Sequence, residues 1–259
     1  MKIFIITQDE PFYLPLSIEK VVRSLATEIV GVAILPRYTR KSSFQVMSGL
    51  FELYGLRSFV IQVFDFMKAK LLNKISYIFP IRKYYSVAKI FKDNKIPIHY
   101  PANVNDQQFV NKLKDLEIDI VISIACPVIL KIPLLSQAKH GNINVHGSML
   151  PRYRGKNIAF WLLLNQETKT GVTVHYIDDK IDSGKIINQQ EVSISSNETV
   201  DSLYKKTVPL GGDLLIKAVN LIKQNQVEPK ANDPIDGTNF SDPGKEEIKK
   251  FRSLGKSFR

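Results

Sequence analysis

The sequence predicts an α/β protein: a mostly parallel sheet with helices on both faces. Three observations lead there. Short apolar runs rich in Ile and Val recur at residues 2–7, 28–35 and 119–125, the pattern of strands buried on both faces. Segments with apolar residues at helical spacing stand between them. Strands that alternate with helical crossovers pair in parallel, and the helices cover both sides. At 259 residues, the chain is one large domain, or one and a half, at roughly 100–200 residues per domain. Its 44 % apolar and 24 % charged residues exclude disorder, collagen and coiled coil.

The elements follow in order. Residues 2–7 form a first strand, and 8–15 a loop. The next helix carries Leu16, Val21, Val22 and Leu25 near one face. Residues 28–35 are a second strand. The stretch 36–80 is basic and aromatic, with Phe51, Tyr54, Phe59, Phe64 and Phe66. It reads as two or three amphipathic helices inserted into the main fold, serving as a layer on the core, a homodimer face or a substrate lid. Alternation then resumes: a helix over 84–94, a short strand at 97–100, and a helix over 105–117 with Phe109, Leu113 and Leu116 on one face. Residues 119–125 and 142–145 are strands, 146–155 a loop with Gly and Pro, and 157–164 an apolar helix. Strands at 171–177 and 185–194 flank the loop 178–184. Ser195 and Glu198 form a capping box before a helical region that Pro209 is expected to split. Beyond Val227 the chain turns polar, with Pro229, Pro234 and Pro243, and ends in a charged tail.

Net charge is +11, from 36 Lys and Arg against 25 Asp and Glu. This suits a soluble surface or an anionic partner. A single cysteine, Cys126, excludes an internal disulfide and a cysteine-cluster zinc site. None of the histidines His99, His140, His146 and His175 forms a helical pair at metal spacing, so no metal is expected. No apolar run approaches the ~20 residues of a membrane span, and the opening residues are too short for a signal segment. The reading is a soluble cytoplasmic protein.

Ligands of parallel sheets sit outside the carboxyl ends of the strands. The loops 8–15, 125–131, 146–155 and 178–184 all follow strands and are expected to crowd one edge. Gln8-Asp9-Glu10 after the first strand is acidic and lacks glycine, so no phosphate-cradling loop stands there. Asn144 and His146 lie two apart on a strand and share a face. An amide beside an imidazole suits acyl-type chemistry: both donate to a developing oxyanion, and the imidazole carries protons. A carboxylate near His146, such as Asp182, would orient the ring and raise its pKa.

The segments INVHGSMLPRYRG and GVTVHYIDDKIDSG resemble the folate-dependent formyltransferase superfamily. From about residue 96 to 234 the chain looks like the catalytic domain of methionyl-tRNA formyltransferase in register, including SLYKKTVPLGGDLL. The resemblance implies a Rossmann-like formyltransferase fold and 10-formyltetrahydrofolate as formyl donor. It assigns Asn144, His146 and Asp182 to the family's catalytic Asn, His and Asp. The pterin pocket falls on Ala125, Cys126, Val128, Ile129 and Leu130 and on Asp178, Asp179 and Asp182, with Cys126 as a packing residue. Ser148, Arg152, Tyr153 and Arg154 form the rim toward the acceptor, with Gln8 nearby and His175 behind the catalytic pair.

Residues 1–231 are the expected catalytic domain, with 232–259 a short tail and no OB-like barrel. Methionyl-tRNA formyltransferases carry such a barrel, so tRNA is disfavoured. Glycinamide ribonucleotide is disfavoured by the acidic first loop, and a folate hydrolase by the lack of a regulatory domain. What remains resembles the sugar N-formyltransferases, whose acceptor is a nucleotide-linked amino sugar. The reading from another class is a non-catalytic nucleotide- or RNA-binding homologue. The three filled catalytic positions argue against it.

Overall fold

A computed structural model describes residues 1–36, 42–233, 235 and 237–259. Residues 37–41 of the expected insert, and Pro234, lie outside the described residues. The elements are β1 (Ile3–Gln8), α1 (Leu14–Leu25), β2 (Ile29–Leu35), α2 (Ser43–Ile75), α3 (Val87–Asp93), β3 (Ile98–His99), α4 (Gln107–Asp115), β4 (Ile120–Ile124), α5 (Ile132–Leu135), β5 (Asn142–His146), β6 (Arg154–Gly155), α6 (Ile158–Leu164), β7 (Lys169–Tyr176), β8 (Ile186–Ser193), α7 (Val200–Lys223), β9 (Asn239–Phe240) and α8 (Lys245–Ser253). Seven strands form one sheet in the order β3-β2-β1-β4-β5-β7-β8. The first five run parallel, and β7 and β8 are antiparallel to their neighbours. The expected mostly parallel sheet is thus observed.

The apolar runs face both ways. Ile3 and Ile5 enter a core with α1, α3 and α7, while Phe4 and Ile6 enter a second core with α4 and α5. The acidic residues after β1 turn out to be helix caps. Asp9 accepts from Val87 N (2.7 Å) and Ser86 Oγ (3.0 Å) at the start of α3. Glu10 accepts from the backbone N–H groups of Phe12, Tyr13 and Leu14 at 2.7, 2.8 and 3.1 Å. Each carboxylate fills the place at a helix start that an anion would otherwise take. Ser86 caps α3 through Lys89 N, which is why the helix expected from 84 starts later.

Ser42 and Gln45 form a capping box at the start of α2. Gly55, at φ 73°, breaks the helical path, so α2 is two helical runs meeting at a kink, within the expected two or three. The helix rests on the body through Ser58 and Ala69, both buried.

Three expectations are corrected. Pro209 does not split the last long helix: α7 runs unbroken from Val200 to Lys223. Leu203, Thr207, Gly211, Leu214, Leu215 and Ala218 form one buried flank along it. Packing against α1 and β7 outweighs the lost hydrogen bond. Gly212 allows that approach, since a Cβ there would sit 2.9 Å from Ser17 O. Ser195 does donate to Glu198, but the helix cap is Thr199 paired with Ser202. The short charged tail expected at the end carries elements of its own that the sequence reading did not include. β9 pairs with β6, α8 buries Ile248 and Phe251, and Phe258 joins them against α6. Phe251 stacks on Phe160 at 4.5 Å. Two apolar residues on a charged helix are too weak a period to read.

Candidate active site

Alternation along β5 and β7 builds the site. Ile143, Val172 and Val174 enter the α7 side of the core and Val145 packs against it. Asn144, His146, Thr173 and His175 therefore project from the opposite face, with Asn144 and His175 directly paired. The loops 147–155 and 178–184 supply the contacts on that face. One expectation changes here. β7 is antiparallel to β5, with Tyr176 beside Ile143 at the start of β5. The loop after β7 thus leaves from the far edge and folds back across the sheet to deliver Asp182. Asp182 holds φ at 50°, a left-handed conformation that aspartate, with glycine and asparagine, adopts more readily than other residues.

The three expected groups meet. Asp182 Oδ2 lies 3.4 Å from His146 Nδ1 and accepts from Gly155 N at 2.9 Å. Its Oδ1 is 3.5 Å from Asn144 Nδ2 and 3.6 Å from His175 Nε2. Asn144 Nδ2 is also 3.2 Å from His175 Nε2, and His175 Nδ1 is 2.7 Å from Tyr176 O. These partners assign the proton of His175 to Nδ1, with Nε2 accepting from Asn144. His146 Nε2 lies 2.7 Å from Tyr153 O, so that nitrogen donates and Nδ1 faces Asp182.

Burial holds His146 below the ordinary imidazole value, against the pull of Asp182 and the Tyr153 carbonyl. Burial also pushes the Asp182 carboxyl up. As the pH falls and His146 and His175 take up protons, their charge, together with Gly155 N–H, more than reverses this and holds the carboxyl at about 2. At neutral pH the arrangement is a neutral imidazole beside a fixed carboxylate. The two contacts of 3.4 and 3.5 Å are longer than charge-assisted hydrogen bonds. Asn144 and His146 can therefore turn toward an incoming oxygen or nitrogen.

The expected acceptor rim is mostly turned away. Ser148 is fully buried, and its Oγ donates to Arg152 O at 2.8 Å. Arg152 pairs with Glu167. The Tyr153 ring stacks on Phe240 at 5.0 Å and its hydroxyl donates to Glu167; only its carbonyl reaches the site. Arg154 is buried and donates to Asn232 Oδ1 at 2.8 Å. His175 is buried behind Asn144. Of this set, Gln8, half-buried at the end of β1, stays beside the open edge. Ser148, Tyr153 and Arg154 are turned inward, where they fasten the LPRYRG loop and the C-terminal segment, while Arg152 stays exposed.

Of the residues expected to line the pterin pocket, Cys126 and Val128 pack against the core cluster of α4 and α5, as does Ile177 before the second loop. Leu130 is buried in it, while Ile129 and Ile181 are exposed. Burial pushes the Cys126 thiol up to about 11, which suits packing rather than nucleophilic attack. Asp178 is spent within its loop on Lys180 N and Ser183 Oγ, and Asp179 is exposed. Among the described residues, no group of three or more His, Cys, Asp or Glu is placed to hold a metal.

Two supports of Asp182 were not foreseen as such, one of them, Gly155, within the expected rim of residues 150–155. Asn232 donates from Nδ2 to Asp182 O (2.9 Å) and Gly184 O (3.0 Å), bracing the carboxylate loop. Gly155 supplies its N–H at φ 98°. A glycine closing the LPRYRG motif was the available signal for Gly155; a lone Asn in a polar stretch gave none for Asn232.

Comparison with known proteins agrees with this geometry. The family model described as Formyl transferase matches residues 79–219. The chain is 37 % identical over 134 residues to the methionyl-tRNA formyltransferase of Alkaliphilus oremlandii, covering 52 % of this chain and 43 % of that protein. It thus spans less than half the length of the curated relatives it matches. In structure it is similar to the N-formyltransferase of Helicobacter canadensis solved with folinic acid and dTDP-3-aminofucose. That likeness has a TM-score of 0.61 at 20 % identity and covers 98 % of this chain and 80 % of that one. It is also similar to the phosphoribosylglycinamide formyltransferase of Bacillus halodurans, with a TM-score of 0.59, 19 % identity, and 86 % and 95 % coverage. With a matched segment spanning more than half its length, and with the motif residues gathered at one face, the chain belongs to the formyl transferase family.

Proposed function

We propose that this protein transfers a formyl group from 10-formyltetrahydrofolate to a primary amine, and that the amine belongs to a nucleotide-linked amino sugar. The observation that carries the chemistry is the convergence of Asn144, His146 and Asp182 on one face of β5, with Asp182 pinned by Gly155 N–H. The donor supplies an activated formyl carbon on a nitrogen leaving group. The loops 125–130 and 178–182 carry the exposed apolar side chains Ile129 and Ile181, which suit its flat, partly apolar ring system.

Asn144 turns its amide N–H to the formyl oxygen as negative charge develops there. His146, neutral and with Nδ1 free of a proton, takes the proton of the attacking amine. Asp182, already ionised 3.4 Å away, balances the imidazolium that results. Held at about 2, Asp182 is a weak base, so it positions and stabilises rather than keeping the proton. The new bond joins amine nitrogen to formyl carbon, the bond to the folate nitrogen breaks, and His146 returns the proton to that nitrogen. Asn232 braces Asp182 from residue 232, and β9 pairs with β6. We therefore take 232–259 as working with the catalytic domain 1–231.

A sugar acceptor is supported by the full-length likeness to the dTDP-3-aminofucose enzyme and by the carboxylates Asp9 and Glu10. Those carboxylates fill the first-loop helix starts that a glycinamide ribonucleotide phosphate would need. A second reading, methionyl-tRNA as acceptor, is favoured by the 37 % identical relative. The test is tetrahydrofolate release from 10-formyltetrahydrofolate with a panel of nucleotide-linked amino sugars, charged initiator tRNA, and no acceptor. Release with one sugar alone, lost in His146→Ala, supports the reading. Release with tRNA moves the acceptor. Release without any acceptor makes the protein a hydrolase.

A further inference from the structure

Helix α2 has two opposite faces with different partners. Its inner face carries Ser58 and Ala69, both buried, and Gln62 and Asp65, which receive Arg259 at 2.6 and 3.3 Å. Its outer face carries Leu56, Val60, Phe64, Met67 and Leu71, each between 56 and 68 % exposed. Their spacings of four, four, three and four residues align them in one stripe at 3.6 residues per turn. Beyond the helix the apolar surface continues through Tyr77, Ile78 and Phe79, all exposed. An exposed apolar run of this length marks an interaction site.

The charges around it say what lies there. On the helical projection Arg57 and Lys68 border one side of the stripe, Lys70 borders the other, and Lys74 ends the stripe in line with Leu56; all four are exposed. Arg82 and Lys83 follow and are also exposed. Asp65 is the only carboxylate between residues 53 and 83, and it faces inward to Arg259. A second copy of this chain would bring the same cations together with no carboxylate on this face to answer them. No described helix is long and apolar enough to cross a membrane. Apolar and aromatic side chains flanked on both sides by lysine describe a helix lying in the plane of an anionic lipid surface.

We propose that the outer face of α2, with residues 77–83, docks this protein on an anionic membrane surface. The bound face is turned away from the body that carries the sheet and its site, so docking is compatible with turnover. The inference does not depend on the formyl acceptor. The test is flotation of the full chain with phosphatidylcholine vesicles, with and without phosphatidylglycerol. The protein is expected to float with the anionic vesicles, and to be released by salt. Each Lys→Gln change among Lys68, Lys70 and Lys74 should weaken binding about fivefold. Phe64→Gln with Leu71→Gln should abolish it while leaving the thermal melt unchanged, since both side chains are exposed. Absence of flotation at low salt would overturn the proposal. So would equal flotation of the Phe64→Gln, Leu71→Gln variant. A dimer in light scattering that this variant disperses, with no vesicle binding, would also overturn it and give the face to a second copy.

Discussion

Replacing Asp182 by Asn removes a charge and almost no volume. Asn oxygen still accepts Gly155 N–H, so the loop keeps its 2.9 Å anchor. What is lost is the electrostatic preference that moves the carboxyl from 3.8 to about 2, on the order of 2 kcal/mol. The folded-state pKa is depressed, so this stability is present above pH ~4 and disappears as pH falls through about 2. Urea denaturation should therefore show Asp182→Asn less stable than the parent by about 2 kcal/mol at pH 7 and by about half that at pH 3. Formyl transfer should fall on the order of 10²–10⁴-fold, because no anion balances the imidazolium. A stability difference that stays constant between pH 7 and pH 3 would refute the electrostatic argument. A rate within a few-fold of the parent would remove Asp182 from the chemistry.

His146→Ala should lower the rate at least about 100-fold while donor affinity, read by fluorescence quenching, changes little. A parallel loss of donor affinity would make His146 a binding group instead. The rate should fall on the acid side with a midpoint below the ordinary imidazole value of ~6.5, because His146 must be neutral and burial lowers its pKa. A midpoint above pH 7 would contradict this. Gly155→Ala should destabilise the fold by about 3 kcal/mol or more. Its Cβ would stand 2.0 Å from Phe240 O at a φ of 98°, and urea denaturation at parent stability would show that β6 and β9 part at no cost.

Most of the sheet was legible because doubly buried strands are continuous apolar runs, as in β1, β2 and β4. The identity of Asn144, His146 and Asp182 was legible from motif residues. Their meeting was expected from the resemblance rather than from the strand pattern, because the route of Asp182 depends on β7 running antiparallel. The placement of Tyr153 and Arg154 was not legible for a common reason. A basic, aromatic loop looks solvent-facing in sequence, whereas here Phe240 and Asn232, both far along the chain, draw these two side chains inward, while Arg152 stays exposed beside Glu167. Pro209 shows the converse: a local breaker was overruled by a buried flank that only the tertiary fold reveals.

Residues 154–156 have a double duty. Their backbone holds the C-terminal segment, through Arg154 N to Thr238 O and Lys156 N to Phe240 O, and Gly155 N between them holds Asp182. Three consecutive amides thus alternate between the strand beyond residue 237 and the Asp182 carboxylate. Any force or ligand that tugs on the C-terminal strand is transmitted to Asp182 through a single peptide unit. A polypeptide appended past residue 259, or a cut made near residue 240, would act on turnover through that lever without touching either substrate.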